Sequence, residues 1–136
     1  MNLSIFEELP DYMSKEKLEM YFNQVIDYYK STDNVNIMKL SEVIYELSDR
    51  QWRTYTCLDE EIRQKMDLII KEIIDPYSYE LMDTLLSIIA LLGLKESYQK
   101  LKEVDMTTIS ADVKKMIEEM FDELDGSISN PYSGLE

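Results

Sequence analysis

Apolar residues recur along most of this chain at spacings of three and four, the pattern of helices that each bury one stripe. Leu18, Phe22, Val25 and Tyr29 form the first stripe, with Ser14 placed to cap its start and Ser31-Thr32-Asp33-Asn34 breaking it. Ile37, Leu40, Ile44 and Leu47 form the second, with Asp33 as the expected cap and Lys39, Glu42 and Glu46 pointing away. Ser48-Asp49 then opens an aromatic stretch, RQWRTYTC, in which Trp52 and Tyr55 share a face if the stretch is helical. A further helix is expected from Asp59, because the run Asp59-Glu60-Glu61 suits the positive end of a helix dipole; Ile62, Met66, Ile69 and Ile73 supply its stripe. Asp75-Pro76 ends it, since the residue before a proline is pushed out of the α region.

The stretch LMDTLLSIIALLGL, residues 81 to 94, breaks the one-stripe rule: its apolar residues occupy nearly every azimuth. A helix apolar all round is a surrounded helix. These fourteen residues rise only about 21 Å as a helix against a hydrocarbon core of roughly 30 Å, and Asp83 falls inside them. The pattern therefore predicts a central core helix, closed by Gly93 as a left-handed terminator with Leu94 making the accompanying apolar contact. A shorter helix over 95–105 follows, with Tyr98, Leu101 and Val104 inward. Ser110 caps a last one, which turns Val113, Ile117, Met120 and Leu124 inward and stops at Gly126. At the other end, Leu3, Ile5, Phe6 and Leu9 suggest a short turn of helix halted by Pro10.

The expected architecture is all-α: one domain over 1–125 of about six to seven antiparallel helices, with a loosely held tail over 126–136 whose final Leu135-Glu136 is set aside as a cloning remnant. Composition agrees, since Gly and Pro number three each and the 136 residues suffice for a core without metal or disulfide staples. The single cysteine, Cys57, permits no internal disulfide and is expected to be at least half-buried and structural. With no secretory pattern at the N-terminus, a cytoplasmic location is expected.

Charge changes the picture more than composition does. Twenty-eight acidic residues face fourteen basic ones, a net charge of −14 that repels nucleic acid and anionic lipid and complements a basic protein, although it also serves solubility alone. The chain has no histidine, which removes the commonest general base and metal ligand. It also lacks HExxH, CxxC, GxSxG and phosphate-loop motifs. Carboxylate pairs such as Glu60 or Glu61 with Asp67 are more readily read as solvated charges than as an acid–base couple. Neither an enzyme, nor a cofactor, nor a metal is expected.

The carboxylates are concentrated on the last helix. Glu118, Asp122 and Asp125 line one outer stripe, and Glu119 and Glu123 form a like-charged pair four apart at the negative end of the dipole. Such pairs disfavour the isolated helix by a few tenths of a kcal/mol, a cost that a cationic partner would reverse. These five residues form one candidate partner-binding patch and Asp59, Glu60 and Glu61 a second, with Trp52 and Tyr55 as aromatic anchors.

Residues 85 to 104, LLSIIALLGLKESYQKLKEV, resemble a HEAT-type repeat: an apolar helix, a Leu-Gly turn and a second helix carrying Leu-x-x-Val. Such units stack so that a middle helix is covered on both sides. With its acidity and small size, the chain is similar to immunity proteins of bacterial polymorphic-toxin and contact-dependent growth inhibition systems. The resemblance implies a cytoplasmic inhibitor that binds a cognate toxin domain, often a basic nuclease, and blocks its active site or substrate surface. An acidic helical adaptor, with partners chosen by an apolar or aromatic groove, is the competing expectation.

Overall fold

The computed structural model describes residues 9–10, 12–54 and 56–124. Among them the chain forms six helices and no strand: α1 (Lys15–Ser31), α2 (Ile37–Trp52), α3 (Glu60–Ile73), α4 (Tyr79–Leu92), α5 (Lys95–Lys102) and α6 (Ala111–Leu124). The fold is all-α. Of the expected N-terminal turn, Leu3, Ile5 and Phe6 lie outside the described residues and Leu9 is not helical; the stop at Gly126 and the 126–136 tail also lie outside the described residues.

Five of the six helices start on a side-chain cap from the residue just before them. Ser14, Asn36, Asp59, Ser78 and Ser110 each accept a bond from a backbone N–H in the first turn. Asn36, not Asp33, caps α2: Asn34 adopts a left-handed backbone with φ of 55°, so the chain turns for two more residues before the helix begins. The aromatic stretch is likewise no separate element. Ser48 is buried and returns its hydroxyl to the Ile44 carbonyl at 2.7 Å, leaving α2 free to run on to Trp52. Cys57 is exposed rather than buried, because it falls in the loop between α2 and α3 where no apolar stripe points inward.

α5 is the exception among the caps. Leu94 offers no side-chain acceptor, and Asp67 of α3 supplies one instead. Its carboxylate accepts the Glu96 and Ser97 amides at 2.9 and 2.8 Å and the Ser97 hydroxyl at 2.6 Å. Asp67 is therefore a buried tertiary cap. Four residues on, the Lys71 carbonyl accepts the Lys100 ammonium, so α3 and α5 run in the same direction. Tyr29 near the end of α1 donates to Glu72 near the end of α3 at 2.7 Å, which aligns α1 with them.

Helix contacts sort into two layers, α1–α3–α5 and α2–α4–α6, joined chiefly through α1–α2, α3–α4 and α4–α5. α4 touches α2, α3, α5 and α6, and Met82, Leu85, Ile88 and Ile89 are completely buried. Its end is set by Gly93 at φ 70°, a left-handed position that disfavours a Cβ; the Gly93 amide returns to the Ile89 carbonyl at 2.9 Å.

α4 is nonetheless not covered all round. Asp83 is exposed and Ser87 and Ala90 are half-exposed, three positions spaced four and three apart that form one open strip. At the N-terminal side, Arg50 is buried and binds the Leu9 and Pro10 carbonyls at 3.2 and 2.6 Å as well as Glu46 on its own helix. This guanidinium holds the chain leading into Met13, itself part of the core.

Candidate functional site

α6 displays its carboxylates as its period dictates. Val113, Ile117 and Met120 take the inner face, so Glu118, Glu119, Asp122 and Glu123 are all exposed. Lys114 reaches Glu118 at 3.8 Å and Lys115 reaches Glu119 at 4.0 Å, long surface pairs that neutralise little. Asp122 and Glu123 pair with no cation among the described residues. Asp125 lies outside the described residues.

Beside this acidic face runs a groove of about 240 Å³ between α4 and α6. Leu86 and Ala90 from α4, with Met116, Met120 and Leu124 from α6, make its apolar floor, while Asp83, Glu119 and Glu123 stand on the rim. The open strip of α4 is one wall. Asp83 was legible only as a charge that counts against a membrane span; the signal for its role was the spacing of 83, 87 and 90, three non-bulky positions on one face of an otherwise apolar helix.

The surrounding charges reinforce the rim. α6 carries five carboxylates against two lysines and α4 two carboxylates and no cation, whereas α5 in the other layer carries three lysines against one glutamate. α1, α2, α3 and α5 each place a basic residue in the last turn, and α4 and α6 place none. Neither of the two helices that form the groove thus offsets the negative end of its dipole with a basic residue in its own last turn.

The second acidic cluster is satisfied locally. Asp59 caps α3, Glu60 pairs with Arg63, and Glu61 pairs with Lys65 at 3.3 Å. Glu60 lines a different and larger cleft, about 420 Å³, between α3 and α5, where Arg63, Lys95, Glu96 and Asp67 mix both signs of charge. Its three carboxylates face two cations, Arg63 pairs with Glu60, and its most buried carboxylate is committed to capping α5. Trp52 ends α2 half-buried, and Tyr55 lies outside the described residues. The structure therefore gathers Glu119 and Glu123 with Asp83 on one groove and leaves Asp59, Glu60 and Glu61 on another part of the surface.

No protein-family model matches the chain, and neither a curated protein nor a solved structure is significantly similar to it. Among the described residues no cluster of Cys, Asp or Glu is placed to hold a metal ion, and no helix is long and apolar enough to cross a membrane. What the site offers is recognition chemistry: an apolar floor for contact area, and exposed carboxylates for steering and register.

Two other residues escaped the sequence. Arg50 is indistinguishable by spacing from a surface arginine, because the carbonyls that bury it lie some forty residues earlier. Tyr29 is the other: burial first, then its bond to Glu72 and the charge of that carboxylate, raise its phenol above the ordinary value of 10.0.

Proposed function

We propose that this protein is a non-catalytic, cytoplasmic immunity protein that binds a basic toxin domain, of nuclease type, through the acidic face formed by α6 and α4. The observation that carries this reading is the segregation of charge: Glu119 and Glu123 of α6 and Asp83 of α4 flank a groove with an apolar floor, Glu118 and Asp122 are exposed on the same helix, and neither helix carries a cation in its last turn. Exposed acidic groups of this kind accelerate association with a basic partner and fix its orientation, while the apolar floor supplies the contact that survives screening. The resemblance of residues 85–104 to a HEAT-type unit and the two-layer helix packing support the same reading.

The experiment is co-expression. The C-terminal domain of a large secreted protein encoded immediately upstream is produced in a heterologous host with and without this protein. Growth arrest by that domain alone, relieved by co-expression and restored by reversing Glu118, Glu119, Asp122 and Glu123, is the expected result. Absence of such a gene, or no relief of arrest, contradicts the reading. The apolar floor favours the adaptor alternative if binding proves indifferent to salt.

A further inference from the structure

The groove between α4 and α6 also specifies what shape of ligand fits it. Leu86 and Ala90 lie four apart on α4, as do Met116 and Met120 on α6, so both walls repeat every four residues, about 6 Å of helical rise. The strip from Asp83 to Ala90 extends about 10 Å, close to two turns. Ridges spaced four residues apart receive the ridges of another helix. An extended strand, whose side chains on one face repeat about every 6.6 Å and whose backbone needs an edge to pair with, finds no such edge here.

The rim selects the sign of the ligand. Asp83, Glu119 and Glu123 flank the floor, and neither α4 nor α6 carries a basic residue in its last turn. Two occupants supplied by the chain itself are disfavoured by charge. Residues 125–136 contain two carboxylates and no lysine or arginine, and a second copy would bring another net −14.

We propose that the α4–α6 groove docks an amphipathic, cationic helix of about two turns on the partner, with apolar side chains at i and i+4 on the floor and Lys or Arg at its flanks against Asp83, Glu119 and Glu123. This rests on the immunity reading for the partner's identity, but the ligand class follows from the groove alone. Buried floor contacts hold the complex, and the rim charges set its orientation and rate of formation.

The full chain is titrated with a fluorescent Leu/Lys peptide of about four helical turns that gathers its leucines in one stripe, and with a scrambled peptide of the same composition and charge. The striped peptide is expected to bind about tenfold or more tighter than the scramble, because only it can use the floor. Asp83→Lys with Glu123→Lys should weaken it at least about tenfold and flatten its salt dependence. Ala90→Trp, which fills the groove, should weaken it comparably while leaving the salt dependence in place. Glu61→Lys, on the other layer, should change the affinity less than about twofold. Equal affinity for both peptides, an equal effect of Glu61→Lys, or no effect of Ala90→Trp overturns the proposal, as does absence of saturable binding. Met116→Lys serves as a second floor variant should Ala90→Trp lower the helical signal. Toxin protection that survives Asp83→Lys with Glu123→Lys overturns the groove as docking point and leaves the immunity reading intact; selective peptide binding without any toxin protection sinks the immunity reading and sustains the groove.

Discussion

Three side chains join parts of the molecule that their neighbours in sequence do not join. Asp67 receives three hydrogen bonds from Glu96 and Ser97, and removing it leaves buried donors at the start of α5 without an acceptor. Asp67→Ala should lower the unfolding free energy by about 3 kcal/mol, and Asp67→Asn, which keeps one carbonyl oxygen, by roughly 1 kcal/mol, measured by urea denaturation. Equal effects of the two would contradict a capping role. Arg50→Met keeps the packed stem but releases the Leu9 and Pro10 carbonyls. Faster amide exchange at Tyr12 and Met13 is expected with a loss of about 1–3 kcal/mol, and Arg50→Lys should not restore it because one ammonium cannot span both carbonyls. Tyr29 carries a pH signature. Its phenol is raised in the fold by burial and by Glu72, so the folded chain holds that proton more tightly than the unfolded one. Its contribution is whole below the ordinary value of 10.0 and is lost as the pH rises through the raised value. Tyr29→Phe should therefore flatten the decline of stability above about pH 10 in alkaline melts.

At the scale of elements, α4 holds both layers together, and its fully buried residues should be the costliest to truncate. Ile88→Ala is expected to lose about 2–5 kcal/mol and Gly93→Ala about 1 kcal/mol, the first from a cavity and the second from a Cβ at a left-handed position. A truncation at exposed Leu68 in α3 should cost much less. The stripes of α1, α2, α3 and α6 were legible because a 3.6-residue period is a local property of the sequence, as were the Ser14 and Ser110 caps, the helix start near Asp59 and the Gly93 stop. Asn36 was missed because Asn34 carries the chain through an extra left-handed turn, which spacing does not reveal. Asp67 and Arg50 were missed for a different reason, since their partners are about thirty and forty residues away and only tertiary packing brings them close. On α4 the sequence overstated burial: eight bulky apolar residues drew attention from the strip of Asp83, Ser87 and Ala90 that stays open.

For the whole molecule, the net charge of −14 matters less than where it lies. Half of the candidate site was readable as carboxylates on one helix face, Glu119 and Glu123 among them; the other half, the apolar floor and Asp83, required α4 and α6 to be placed side by side. The α3 cluster, by contrast, is consumed by its own cap and ion pairs, so the proposed recognition surface lies on one layer only. The most direct test is the affinity of the basic toxin domain proposed as partner for the intact protein and for its Asp83→Lys, Glu119→Lys, Glu123→Lys variant, measured calorimetrically at about 0.1 M and about 1 M salt, where the Debye length falls from ~10 Å to ~3 Å. The affinity of the intact protein is expected to drop with salt, and that of the variant to be at least about a hundredfold weaker at the lower salt, with little salt dependence left. A variant that binds as tightly as the intact protein and responds identically to salt would place recognition elsewhere on the molecule.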